Sequence, residues 1–213
     1  MTRLEIISDP ICPWCYIGKV KLEKALAVAG NPFEITWRPF QLNPDMPTKG
    51  MDRRAYLENK FGKDRAASVY GQIETAAKDA GLDVDFSKMK RTPNTVDAHR
   101  LIRWAKASDD QGAVMTALFE RYFKLGQDIS DHAVLIEVAG EVGMDTDVIA
   151  RLLASDADRE DVLSEDREAR EMGISGVPTF IVGGQYAVPG AQEATTWEKI
   201  IADLAAASAQ LDG

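Results

Sequence analysis

The chain has 213 residues, 45% hydrophobic and 28% charged, values of an ordinary soluble globular fold long enough to bury a sizeable core. A formal net charge of −9 and a pI of about 4.8 argue against nucleic-acid partners and anionic lipid surfaces, both of which are bound by neutralising phosphate with Lys and Arg. No apolar stretch approaches the roughly 20 residues that cross a bilayer, so no membrane partner is expected.

Met1-Thr2-Arg3 leads straight into Leu4–Ser8, which reads as a short buried strand. That leaves no space for a signal peptide, and the expectation is a cytoplasmic chain. Turn residues Asp9-Pro10 follow, then Cys12-Pro13-Trp14-Cys15, then a helix beginning near Tyr16. Leu22, Ala25, Leu26 and Ala29 share one face of that helix, and Gly30-Asn31-Pro32 stops it. Phe33, Ile35 and Trp37 then alternate with polar residues, the period of a half-buried strand. Strand, helix, strand in this order predicts a parallel pair.

The middle of the chain changes character. No strand is expected between Asn43 and about Thr179. Helices are predicted over Arg53–Phe61, Lys63–Ala80, Thr95–Ala107, Gly112–Leu125, Asp131–Val142 and Thr146–Ala154, separated by polar or turn-forming residues. Ala98, Leu101, Ile102 and Ala105 give the third of these an inward face, and Ser130-Asp131 and Asp145-Thr146 are candidate N-caps. Residues 43–155 therefore read as a helical domain inserted into an α/β core made of 1–42 and 156–213. In the last part, a charged helix spans Asp158–Met172 and a strand Thr179–Val182. Gly183-Gly184 suits a two-residue hairpin needing φ > 0 at both positions, and Tyr186–Val188 pairs back. The closing helix carries Trp197, Ile200, Ile201 and Leu204 on one face.

Chemistry concentrates at the only two cysteines, Cys12 and Cys15. A cysteine at a helix N-terminus faces unpaired N–H groups and the positive end of the helix dipole, which stabilise a thiolate. A second cysteine one turn on can close a disulfide with it. The pattern points to thiol–disulfide exchange, with Cys12 attacking and Cys15 resolving, and with a redox-active Cys12–Cys15 disulfide in place of any bound cofactor. A zinc site wants four ligands, and the only histidines, His99 and His132, stand alone, so no metal is expected. Inert core cysteines have no reason to gather at a strand–helix junction. Pro13 suits the first helical turn, where its missing N–H costs little. Trp14 suits either packing or contact with substrate.

Gly176-Val177-Pro178-Thr179 stands just before a strand. Proline there belongs at an edge, a turn or a cis bond, and the residues alone leave the choice open. Asn94-Thr95 reads as a helix cap and His99 as a satisfied helix histidine.

Several segments together resemble a known family. They are Asp9-Pro10-Ile11-Cys12-Pro13-Trp14-Cys15, Arg38-Pro39-Phe40-Gln41-Leu42-Asn43-Pro44, Asn94-Thr95 with Ala98-His99-Arg100-Leu101, and Gly176-Val177-Pro178-Thr179-Phe180. In this order, over about residues 4–205, the chain resembles DsbA-like thioredoxin-fold oxidoreductases of the FrnE-like family. These are related to 2-hydroxychromene-2-carboxylate isomerases and kappa-class glutathione transferases. The resemblance implies a thioredoxin-type α/β fold, a mixed sheet flanked by helices, with an inserted all-helical domain. It implies that Pro178 is a cis-proline packed against the disulfide. It also implies that the backbone of Val177 pairs with an extended substrate segment, a form of β-augmentation. Cys12 is then expected to be exposed and Cys15 more buried. Asn94, Thr95 and His99 fall near the site as candidate substrate contacts.

The expected activity is protein-disulfide oxidoreduction on protein or peptide disulfides, with glutathione as a candidate external reductant or co-substrate. The alternative is a glutathione-dependent isomerase or transferase acting on a small molecule. Those relatives usually carry serine at the first cysteine, so Cys12 and Cys15 together favour exchange. A third reading is a redox-sensing or chaperone-like binding module. The helical insertion is a candidate for binding substrate, for pairing two copies into a homodimer, or for covering the site.

Overall fold

The computed structural model describes the backbone of residues 1–211 and their side chains apart from 63–67 and 209–211. Residues 212–213, part of the expected α/β core, lie outside the described residues. The sheet has four strands: β1 (Thr2–Ser8), β2 (Phe33–Pro39), β5 (Thr179–Val182) and β6 (Tyr186–Pro189), in the order β2-β1-β5-β6. β1 and β2 run parallel, Ile6 opposite Trp37. β1 and β5 run antiparallel, Ile7 opposite Thr179. This register brings the end of β1, just before the cysteines, beside the start of β5, just after Pro178. Gly183 and Gly184 turn the β5–β6 hairpin with φ of 60° and 71°, angles that side-chain-bearing residues rarely adopt.

Alternation along β1 sorts the two faces. Leu4 and Ile6 pack with Leu22 and Ala25 of α1 (Pro13–Ala29) and with Trp197 and Ile201 of α9 (Ala194–Leu211). Ile7 packs on the opposite face against Ala169 of α8 (Arg159–Glu171). The helices between β2 and β5 are α2 (Arg53–Phe61), α3 (Lys63–Asp79), α4 (Val96–Trp104), α5 (Gln111–Phe119), α6 (His132–Glu141) and α7 (Thr146–Leu153). Asp131 and Asp145 cap α6 and α7, accepting from Ala133 N and from Asp147 and Val148 N. A single apolar cluster runs from Leu4 of the sheet to Leu135 of α6, so the helices between β2 and β5 share one core with the sheet.

Four local features differ from expectation. α1 begins at Pro13 rather than near Tyr16, and Ala29 at its end is exposed. Two-residue strands β3 (Met51–Asp52) and β4 (Arg91–Thr92) pair in the stretch expected to lack strands. Two residues carry no readable period, and the pairing closes a loop of about 40 residues that nothing local announces. The helix expected over Thr95–Ala107 ends at Trp104 and continues as a tighter 3₁₀ turn, Ala105–Ser108. The helix expected over Gly112–Leu125 widens into a π-helical turn at Glu120–Lys124. Phe119, Tyr122 and Phe123 are all buried across this turn, and apolar spacing does not distinguish an α turn from a π turn over so short a stretch.

Candidate active site

The site forms where β1 hands over to α1. Cys12 is the N-cap of α1, and its carbonyl accepts from Cys15 N (3.1 Å) and Tyr16 N (3.3 Å). The loop before it is folded by Asp9. The Asp9 carbonyl accepts Cys12 N at 2.9 Å, and its side-chain Oδ1 accepts Ile11 N at 3.3 Å. Cys12 therefore stands at the mouth of the helix, with Pro13 in the first turn. Both cysteines are free thiols.

The second wall comes from the chain just before β5. The Val177–Pro178 peptide bond is cis. The Cys12 thiol donates to the Val177 carbonyl at 3.5 Å, and Pro178 is buried against α1. The fit is close: a Cβ on Gly18 would stand 3.1 Å from Pro178 Cγ. A groove of about 450 Å³, lined among others by Ile174, Val177, Pro178, Ala187 and Pro189, runs past this wall.

Cys12 is buried, which corrects the expectation that it would be exposed. It is 3% accessible against 1% for Cys15. Cys12 belongs to the apolar cluster that joins the sheet to the helical segment, while Val69, Tyr70 and Ile73 of α3 pack on Ile17 further along α1. Trp14 takes the exposed position instead, at 39%. Burial pushes the Cys15 thiol well up, the adjacent Cys12 sulfur adds to this, and the Ser8 hydroxyl and Asp9 backbone oppose it.

Behind the loop lies a buried polar layer. Asp9 is fully buried, and its Oδ2 accepts Leu42 N at 2.7 Å. Desolvation raises its pKa to about 7, against hydrogen bonds from Leu42, Ile11 and the Thr95 side chain. His99 Nε2 lies 3.8 Å from Asp9 Oδ1 without a hydrogen bond, and burial lowers the His99 pKa to about 4. Asn94 Oδ1 accepts Val96 N at 3.0 Å, as a cap does, and its Nδ2 donates to Met46 O at 2.8 Å. The structure thus brings Cys12, Pro13, Trp14, Cys15, Val177 and Pro178 to one place. Thr95 and His99 stand behind Asp9, and Asn94 shapes the start of α4. Among the described residues no cluster of three or more His, Cys, Asp or Glu could hold a metal ion.

The DSBA-like thioredoxin domain matches residues 3–202, nearly the whole chain. The chain belongs to this family. A probable DsbA oxidoreductase of Streptomyces coelicolor superposes with a TM-score of 0.85 at 30% identity, covering 95% of this chain and 89% of the other. A 2-hydroxychromene-2-carboxylate isomerase matches with a TM-score of 0.76 at 17% identity, over 98% of each chain. The cytosolic disulfide reductase DsbM of Pseudomonas aeruginosa, solved with GSH, matches at 0.70 and 16%, over 95% and 98%. The last two likenesses speak for the fold alone. The fold is DsbA-like thioredoxin, and no helix among the described residues is long and apolar enough to cross a membrane.

Some residues of this DSBA-like site were not singled out by sequence. Asp9 read as a turn residue at the head of the family-like motif, with no local signal for its buried carboxylate, which accepts Leu42 N from 33 residues away. Tyr70 and Ile73 of α3 lie in an ordinary helical stretch, and their packing on Ile17 of α1 depends on how the inserted helices fold back.

Proposed function

We propose that this DsbA-like chain is a dithiol–disulfide oxidoreductase in which Cys12 attacks and Cys15 resolves. The observation that carries the reading is the placement of the Cys12 sulfur at the N-terminus of α1, against the carbonyl of Val177 and the cis bond to Pro178. The Val177 backbone and the neighbouring apolar groove suit an extended peptide laid beside the sulfur. The upward shift of Cys15 supports the order of events, since a thiol held protonated waits while the other reacts. The Cys12 thiolate attacks one sulfur of a substrate disulfide, forming a mixed disulfide and expelling the other sulfur as thiolate. Cys15, losing its proton, then attacks the Cys12 sulfur and expels the second substrate thiolate. Two electrons pass from the dithiol to the substrate, and an external thiol such as glutathione restores the dithiol.

The substrates in this reading are protein or peptide disulfides, and the chain works in the cytoplasm, where thiols are kept reduced. Residues 1–42 with 156–213 supply the sheet and the dithiol, and 43–155 the inserted helices that cover it. One observation favours a second reading, a glutathione-dependent isomerase or transferase: Cys12 is buried, which suits a small ligand better than a protein surface. The test is reduction of a protein disulfide by the wild type beside Cys12→Ser and Cys15→Ser. The proposal expects no turnover from Cys12→Ser, and full activity there overturns it. Isomerisation or glutathione conjugation that survives loss of Cys15 supports the second reading.

A further inference from the structure

Three long cationic side chains are buried among the described residues: Lys19, Arg53 and Arg100. Lys19 pairs with Glu23, and Arg100 pairs with Asp97 while donating to the carbonyls of Ala157, Leu152 and Ser155. Arg53 is different. Its Nη1 donates to Tyr122 OH at 3.0 Å and its Nη2 to Tyr70 OH at 2.7 Å, and both rings lie within 6.0 Å of the guanidinium carbon. Among the described residues it forms no ion pair. Two neutral hydroxyls satisfy hydrogen bonds but leave a desolvated positive charge without a counter-ion. That is a costly state which an arriving anion relieves.

The charge stands on the dithiol side of the helical insertion. Tyr70, which shares Arg53, sits in the α3 cluster packed on Ile17 of α1, the residue five positions along the chain from Cys12. Arg53 Nη2 uses the Tyr70 oxygen as acceptor, so the Tyr70 proton is free to be donated onward. A guanidinium fork and a tyrosine hydroxyl are a carboxylate-binding set. The acidic chain as a whole repels anions, with a formal charge of −9, so a ligand carrying carboxylates needs a dedicated cation near the sulfur. The burial of Cys12, at 3% accessible, favours a small ligand.

We propose that Arg53, with Tyr70, is the anion subsite of the dithiol centre. It holds a carboxylate of a short thiol peptide of the glutathione class while that peptide's sulfur exchanges with Cys12. This rests on the reading of Cys12 as the attacking sulfur and adds the substrate class. Arg53 contributes binding rather than chemistry. The bonds made and broken are those of the exchange above, glutathione disulfide giving two glutathione molecules and a Cys12–Cys15 disulfide.

The test uses the full, pre-reduced chain in single turnover, quenched by thiol alkylation and read by mass. Two disulfides are compared: glutathione disulfide, and the uncharged bis(2-hydroxyethyl) disulfide. Loss of a hydrogen-bonded charge contact predicts that Arg53→Met slows reaction with glutathione disulfide about ten- to a hundredfold. The uncharged disulfide changes by less than about twofold, and Arg53→Lys recovers part of the loss. An equal loss with both disulfides overturns the subsite. If Arg53→Met does not fold, the wild type is given glutathione disulfide and its carboxyl ester; a free acid no faster than the ester overturns the subsite. Cys12→Ser is run beside these. Undiminished reduction there overturns the exchange mechanism itself, separately from the subsite.

Discussion

The dithiol stands between two walls built on opposite principles. The sheet-side wall, Val177–Pro178, is backbone and apolar surface, held by the β1–β5 ladder and packed against Gly18 of α1. The helical side instead carries a charge: Tyr70 and Tyr122 hold the Arg53 guanidinium, and Tyr70 packs against Ile17 of α1. The sheet wall places one carbonyl with little freedom, because a ladder and a packed core fix it together. The helical wall places a charge, and it does so through long side chains from α2, α3 and the π-helical turn after α5. The two walls should therefore fail differently. Damage to the sheet side removes stability and activity together, and damage to the helical side removes selectivity with little loss of stability.

The largest expected effect tests the sheet side. Trp197 is fully buried and meets Phe180, the second residue of β5, edge to face at 4.7 Å. Trp197→Ala should cost about 3–5 kcal/mol in urea unfolding, the usual range for emptying such a core site. A cost under about 1 kcal/mol would show that β5 is held by something else.

The layer beneath the walls gives a pH test. Desolvation holds Asp9 protonated in the fold, from its ordinary 3.8 up to about 7. The folded chain thus keeps a proton that the unfolded chain has lost, and stability falls as pH rises from about 4 to about 7. Burial holds His99 neutral, from 6.5 down to about 4, so the unfolded chain binds the extra proton and stability rises with pH across that span. The opposed slopes offset each other over most of that range. His99→Asn should expose the falling slope and Asp9→Asn the rising one, each up to about 1.4 kcal/mol per pH unit. Unfolding midpoints measured across the range check this, and slopes of the same sign in both variants would contradict it.

Smaller effects separate the walls directly. Gly18→Val drives a side chain into Pro178 and should cost about 1–3 kcal/mol by overpacking, with activity falling further because Val177 moves with Pro178. Tyr122→Phe removes one acceptor of Arg53 and a 3.2 Å bond to the Arg91 carbonyl. It should cost about 2 kcal/mol in stability, because a buried charge is left one hydrogen bond short. A cost equal to that of Trp197→Ala would erase the distinction between the walls.

The sheet wall was legible in the sequence, and the helical wall was not. Cys12-Pro13-Trp14-Cys15 announces itself because its signal is local, a spacing at a strand–helix junction. The role of Val177-Pro178 comes instead from the family resemblance, the residues alone leaving its geometry open. Signals are local too for Phe33, Ile35 and Trp37, whose alternation is a strand, and for Gly183-Gly184, whose backbone freedom is a turn. Arg53 carries no local signal, since its meaning lies in Tyr70 and Tyr122, which come to it only through tertiary packing. Burial of Cys12 escaped for the same reason: it joins an apolar cluster that runs into the helical segment, and no residue near Cys12 encodes that packing. Asp9 was visible as a turn former, but its hydrogen bond to Leu42 N spans 33 residues.

The central claim is that Cys12 takes the substrate sulfur and Cys15 releases it. It is tested most directly by trapping. Cys15→Ser is pre-reduced, mixed with a peptide disulfide, quenched in acid and mapped by peptide mass. The mechanism predicts a mixed disulfide on Cys12 approaching one per chain, while the wild type passes on to its internal disulfide. A Cys15→Ser protein that forms no Cys12 adduct, yet reduces the peptide at the wild-type rate, would contradict it.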